Sequence, residues 1–230
     1  MTEREWLETT DPQPMLAWLR LSGKADNRKL RLFACACCYP VAHLVDDAPW
    51  RRALAAAEAA ADGLLPTQEL RAAWQEARDT PFRRGYPLPT QLTLSAAAES
   101  AHVVASRAAV RSAARAAAAF DWADPGGPGK SEAARVLPAL LRDIHGNPFR
   151  PLPPLAPPLL DTNGGVIRRL AQAAYEERLM PSGHLDPARL AVLADALEEA
   201  GAPEEVVKHL RSDGSHVRGC AVLDAVLGRG

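Results

Sequence analysis

TLSAAAESAHVVASRAAVRSAARAAAAF, residues 93–120, is the stretch whose reading decides the fold. Nearly half of its residues are alanine, and neither glycine nor proline interrupts it. Alanine loses no side-chain entropy in a helix, so the run predicts one continuous helix, the longest element of the chain. Arg107, Arg111 and Arg115 recur every four residues and therefore share one face. Such a stripe can meet phosphates or an acidic partner. No aromatic residues interleave to stack on bases, and the formal net charge is −1, so a solvated or salt-bridged face is the reading adopted, with the acid-rich segment around Glu198 and Glu199 as its counterpart.

Alanine is abundant along the whole chain as well. The chain holds 45 alanines in 230 residues and only 5% aromatics, which predicts helices packed closely through small residues. Helix punctuation is legible on either side of the long run. Asp11-Pro12 opens a short helix that Gly23 closes; Asp26 or Asn27 opens a second through Leu30, Phe33 and Cys37, with Pro40 as its kink or end; Asp47-Ala48-Pro49 opens a third that ends at Gly63. Thr67 caps a fourth. Residues 79–90 carry three prolines and Gly85, and read as an extended loop. Ser131 starts a helix that runs to His145, with Gly146 just beyond its end.

Asn147–Pro158 contains six prolines, a composition that excludes regular hydrogen bonding and predicts a linker or a surface strap. Four helices follow, at about 164–179, 187–200, 203–211 and 215–227, started by Asp186-Pro187 and Ser215 and stopped by Gly201. No alternating β-branched run of strand length appears. The expected fold is all-α, a multi-helix bundle or irregular helical array with a proline-rich strap. Its parts are an N-terminal helical region (1–146), the strap (147–160) and a C-terminal four-helix region (161–230), packed as one body.

Leu190-Ala191-Val192-Leu193-Ala194-Asp195-Ala196-Leu197-Glu198-Glu199-Ala200-Gly201 has apolar residues at helical spacing and a glycine stop. It resembles the core of the bacterial repeat-companion domain, matching at Ala194, Asp195, Leu197, Glu198, Glu199 and Gly201, with Ala196 where that domain has tryptophan. Glu5-Trp6-Leu7 with Asp11-Pro12, Leu141-Arg142-Asp143-Ile144 with Gly146-Asn147-Pro148-Phe149-Arg150-Pro151, and His216-Val217-Arg218-Gly219-Cys220 together resemble a group of uncharacterised bacterial all-helical proteins. The resemblance is spread along the chain and implies one integrated unit. It carries over no catalytic residue.

Phe33-Ala34-Cys35-Ala36-Cys37-Cys38 places three thiols in four positions, and the fourth, Cys220, lies near the other end beside His216. On a helix Cys35 and Cys38 are one turn apart, and Cys37 stands about 100° from Cys38. Two facing helices, one with Cys35 and Cys38 and the other with His216 and Cys220, would supply the Cys₃His set that suits zinc or copper, with His43 as a substitute ligand. Buried core thiols are the plainer reading. A reactive thiol favoured by Arg28, Lys29 and Arg31 is a third.

Asp124-Pro125-Gly126-Gly127-Pro128-Gly129-Lys130-Ser131 comes within one residue of the phosphate-cradling pattern G-x-x-x-x-G-K-[ST]. Asp124 in the first glycine position, two prolines that lack N–H donors and a preceding helix all oppose it, so the segment reads as a turn. His102, His145, His184 and His209 are dispersed, and paired acids such as Asp46-Asp47, Glu176-Glu177 and Glu198-Glu199 mark solvated faces. Trp6, Trp18, Trp50 and Trp74 read as core anchors of the N-terminal helices.

The N-terminus is charged and lacks an apolar signal core, and the apolar stretch Leu30–Val45 is shorter than a bilayer span. A cytoplasmic protein with reduced thiols is expected. Its expected role is that of a non-catalytic helical scaffold or protein-interaction module with a protein partner and no nucleic acid or membrane. The alternatives are a metal protein using Cys35, Cys38, His216 and Cys220, and an enzyme whose site assembles from distant helices with Arg142, Asp143 or His145.

Overall fold

The computed structural model describes residues 1–45, 47–123 and 129–229. Within them the chain is all-α: thirteen α-helices, one 3₁₀ turn and a hairpin of two two-residue strands. It divides into two units, Met1–Leu141 and Arg142–Gly230. None of the described helices is long and apolar enough to cross a membrane.

The first unit runs through α1 (Glu3–Glu8), α2 (Pro12–Leu21), α3 (Asn27–Ala36), a 3₁₀ turn (Tyr39–Leu44), α4 (Ala48–Ala61), α5 (Thr67–Arg84), α6 (Leu88–Ser100), α7 (Ala105–Ala123) and most of α8 (Gly129–His145). The capping residues act as their types require. Asp11 accepts from the Gln13 N–H at 2.9 Å and Asp26 from the Lys29 N–H at 2.7 Å, each satisfying a donor that the first helical turn leaves without a partner. Trp6 is fully buried and stacks obliquely on Trp18; Trp50 is buried with its ring edge-on to Tyr39. Between these helices lies a core rich in alanine, where Ala53, Ala57, Ala96 and Ala97 let backbones approach closely beside Cys35, Cys38 and Leu94.

Two expectations fail in this unit. The run 93–120 is not one helix: α6 stops at Ser100 and α7 begins at Ala105, and the two pack against each other, with the Ser112 hydroxyl donating to the Ala96 carbonyl at 2.8 Å. The break is made by a residue far away in sequence. Arg31, buried on α3, donates to the carbonyls of Ser100 (3.2 Å), His102 (2.7 Å) and Val103 (2.9 Å), so the end of α6 is capped by a guanidinium at the negative end of its dipole. His102 Nδ1 then accepts from the Val104 N–H at 3.0 Å and starts α7. The second failure is the loop at 79–90. Helix α5 continues through Pro81 to Arg84, and the turn shrinks to Gly85–Pro87, with Gly85 in the left-handed region at φ 61°. An internal proline costs a helix about 3 kcal/mol, and the packing of α5 against α4 and α6 outweighs it.

The arginine stripe on α7 is exposed as expected, but its counterpart is local: Arg111 meets Glu99 on α6 at 3.3 Å, while Glu198 is taken by Arg211. Asp47 departs from its expected solvated setting. It is buried and accepts from the Tyr86 hydroxyl at 2.6 Å; Asp46 lies outside the described residues.

The second unit takes the last turn of α8 and continues through α9 (Pro157–Leu160), α10 (Thr162–Glu176), β1 (Arg178–Leu179), β2 (His184–Leu185), α11 (Pro187–Glu199), α12 (Glu204–Leu210) and α13 (Ala221–Leu227). Its core gathers Ile167, Tyr175, Leu193, Leu197, Val206 and Leu223. Each such fully buried side chain contributes about 1.5–3 kcal/mol. Leu152, Leu155 and Leu159 of the proline-rich segment pack on that core, which makes the segment a strap. The Leu190–Gly201 stretch forms α11 with Leu190, Leu193, Ala194 and Leu197 facing inward, and Gly201 at φ 77° ends it.

Candidate metal centre

Four side chains of the second unit converge on one buried point: Asp143, His209, His216 and Cys220. Each offers one ligand atom, and all four atoms lie within 4.8 Å of one another. The local chain explains how each arrives. Asp143 lies in the last turn of α8, and His209 in the last turn of α12. The chain then turns through Ser212-Asp213-Gly214-Ser215 and becomes extended at His216-Val217, where Val217 bridges His184 and the Leu185 N–H donates to the His216 carbonyl at 2.9 Å. Gly219 takes φ 90°, a conformation open to glycine, and Cys220 follows as the N-cap of α13.

The last helix therefore begins at Ala221 rather than at 215, and His216 does not share a helical face with Cys220. Ser215 gives way as a helix start because Val217 and Leu185 supply the backbone partners of an extended segment. His216 and Cys220 still meet, with Nδ1 and Sγ 4.0 Å apart.

Asp143 Oδ1 lies 2.7 Å from His216 Nδ1 and 3.3 Å from His209 Nε2, and His209 Nε2 lies 3.1 Å from Cys220 Sγ. Bonds of about 2.0–2.3 Å from a central ion to nitrogen, oxygen and sulfur put tetrahedral ligand atoms about 3.3–3.6 Å apart. The observed separations straddle that range, so the group can hold a metal ion.

A surrounding layer aims these atoms. The Val217 N–H donates to Asp143 Oδ2 at 2.9 Å and turns Oδ1 toward the histidines. The Ser212 hydroxyl donates to the His209 carbonyl at 2.7 Å, which leaves its oxygen as the acceptor for His216 Nε2 at 3.2 Å. In the protonated imidazole both nitrogens donate, Nε2 to the Ser212 hydroxyl oxygen and Nδ1 to Asp143 Oδ1. The 2.7 Å contact demands a proton on Nδ1, which a bound cation would replace.

The electrostatics agree with that demand. Burial pushes the Asp143 carboxyl up, but the hydrogen bonds and charges of His209 and His216 outweigh it and hold the group below the usual carboxylate range. Burial likewise pushes His216 down, and Asp143 more than offsets it, so the imidazole titrates above its ordinary value. Cys220 is fully buried; burial first, and the Asp143 charge second, hold its thiol well above the usual range despite the N–H groups of Val222 and Leu223.

The same distances bear on a nucleophile triad. A Cys–His–Asp relay needs thiol and carboxylate on opposite nitrogens of one imidazole. Here Cys220 and Asp143 both meet His209 on Nε2, and both meet His216 on Nδ1. Convergence on one nitrogen describes ligands around a point, not a proton relay.

Of the residues expected from sequence, the structure brings His216 and Cys220 together. Cys35 and Cys38 belong to the first unit, where both are buried in its alanine-rich core and Cys38 Sγ donates to the Ala34 carbonyl. Burial holds Cys37 and Cys38 well above the ordinary thiol range, and none of the four cysteines forms a disulfide. His43 is exposed in the 3₁₀ turn. Asp124–Pro128 of the phosphate-like segment lies outside the described residues, as do the side chains of Lys130 and Ser131.

Sequence reasoning missed His209 as a ligand and placed Asp143 at a helix end without its partners. The turn-forming Ser212-Asp213-Gly214-Ser215 between His209 and His216, followed by Cys220, is the signal that points to them. Comparison with protein-family models, with curated proteins and with solved structures finds no match to this chain.

Proposed function

We propose that this chain is a non-catalytic, metal-stabilised helical protein whose second unit is stapled by zinc through Asp143 Oδ1, His209 Nε2, His216 Nδ1 and Cys220 Sγ. The observation that carries the reading is the convergence of four ligand-type atoms, within 4.8 Å of one another, around the buried Asp143 carboxylate. Mixed thiolate, imidazole and carboxylate donors suit a borderline-soft divalent ion. Four protein ligands complete a tetrahedron and leave no open position, which is the coordination of a structural rather than a catalytic zinc site. The ion would tie the end of α8, the end of α12 and the start of α13 to one point, and its binding free energy would add to the stability of the second unit.

The test is elemental analysis of protein expressed without an affinity tag in zinc-supplemented medium, paired with competition against a colorimetric zinc chelator. One zinc per chain is expected, lost in Cys220→Ser and in His209→Ala. Native protein that is metal-free and takes no zinc from the chelator, while retaining its helical circular dichroism, overturns the reading.

A further inference from the structure

The first unit holds a groove of about 370 Å³ along α7, within the size range of small-molecule sites. Val110, Ala113 and Ala117 line it from α7, and Ala133 and Leu137 from α8. Alanine ends at its Cβ, so the middle of the groove is smooth, apolar and without a side-chain hydrogen-bonding group.

The charged side chains that line the groove are two carboxylates, Asp11 and Asp121, and no cation is among the described lining residues. The arginine stripe of α7 lies outside the lining, and Arg111 within it is held by Glu99. The carboxylates stand at opposite ends. The Gln13 side-chain amide donates to the Val110 carbonyl at 3.3 Å, which seats the start of α2, and Asp11 with it, at the Val110 end. There Asp11 Oδ1 accepts from the Gln13 N–H at 2.9 Å. Asp121 lies about three turns further along α7, a rise of about 16 Å. It is half-buried in the last turn, at the negative end of the helix dipole, and no basic residue shares that turn. Among the described residues its carboxylate has no hydrogen-bond or ion-pair partner.

An apolar groove with a carboxylate at each end is complementary to a methylene chain with an ammonium at each end. Ion pairs of about 3 Å at either end leave roughly 10 Å between the two ammonium groups, a gap that about eight methylenes span. We propose that this groove binds a linear α,ω-diamine of that length, its chain on the alanines and its ammonium groups on Asp11 and Asp121. The inference goes beyond the metal reading and is independent of it, since every residue it uses belongs to the first unit.

The experiment is isothermal titration calorimetry of the full chain, at pH 7 and low ionic strength, with octamethylenediamine, octylamine, tetramethylenediamine and suberate. Octamethylenediamine is expected to bind, and octylamine about fivefold more weakly for want of one ion pair. Tetramethylenediamine should bind at least about tenfold more weakly, because it leaves part of the alanine wall uncovered and does not reach both ends. Suberate, a chain of similar length with the opposite charge, should not bind. Asp121→Asn should remove the advantage of octamethylenediamine over octylamine. Ala114→Trp, at an exposed lining position, should abolish diamine binding by filling the groove; circular dichroism checks that each variant is folded. No binding of octamethylenediamine, equal binding of it and octylamine by the native chain, binding of suberate, or binding indifferent to Ala114→Trp overturns the proposal. Self-association that Ala114→Trp removes, without diamine binding, assigns the groove to a second copy of the chain and overturns it as well.

Discussion

Asp143→Asn separates the metal from the fold that surrounds it. The asparagine oxygen can keep the hydrogen bond from the Val217 N–H, while its amide nitrogen replaces Oδ1, the atom that meets both histidines. Without metal the amide can donate to the His216 Nδ1 lone pair, so the cost is that of exchanging a charge-assisted bond for a neutral one, about 1–2 kcal/mol. With zinc the variant presents a donor where an anionic ligand belongs, and affinity should fall at least about a hundredfold, beyond the usual loss from altering an outer partner. At a free zinc concentration about a thousand times the native Kd, zinc stabilises the native unit by about 4 kcal/mol and the variant by about 1.4 kcal/mol. For a unit spanning Arg142–Gly230 the difference corresponds to about 10–20 °C in the zinc-induced shift of Tm. Calorimetry is the assay of choice, because all five tryptophans lie before residue 123 and their fluorescence does not report on this unit. Equal zinc-induced shifts in the native and Asn proteins would refute the assignment of Oδ1 as a ligand.

Three further outcomes follow from named contacts. Ser212→Ala removes the acceptor for His216 Nε2 at an exposed position; zinc affinity should drop about 10–100-fold in chelator competition while the metal-free Tm barely moves. Acidification should weaken zinc from neutral pH downward, since the His216 proton, retained by Asp143, and the Cys220 proton, retained by burial, must both leave; affinity that is flat between about pH 8 and pH 6 contradicts this ligand set. Arg31→Met leaves three carbonyls at the α6–α7 break without their donor, one of them buried, and should cost about 3–5 kcal/mol of first-unit stability by urea denaturation followed through tryptophan fluorescence. A cost below about 1 kcal/mol would mean that α6 ends for some other reason.

Much of the architecture was legible because its signals are local. Asp11, Asp26 and Asp186 start helices as aspartates before a first turn do, and Gly63, Gly146 and Gly201 stop them at positive φ, where a side chain would be strained. Misreadings arose where a distant group outvoted local preference. Nothing between Thr93 and Phe120 announces a break, because the residue that makes it is Arg31, about seventy positions earlier. Pro81 reads as a loop by itself, yet it lies inside α5 because the packing of that helix on α4 and α6 outweighs the lost N–H bond.

Chain chemistry alone determined that the protein is built of alanine-spaced helices, that His216 and Cys220 are neighbours, and that a proline-rich strap precedes the final helices. Which acid and which second imidazole join them was decided in three dimensions. Asp143 comes from 73 residues before His216, carried on the last turn of another helix, and no spacing rule encodes that approach. The reason is range: caps, turns and periodicity act over a few residues and are written in the string itself. A coordination sphere is set by where helix ends meet, and that follows from how the apolar faces of the whole unit pack.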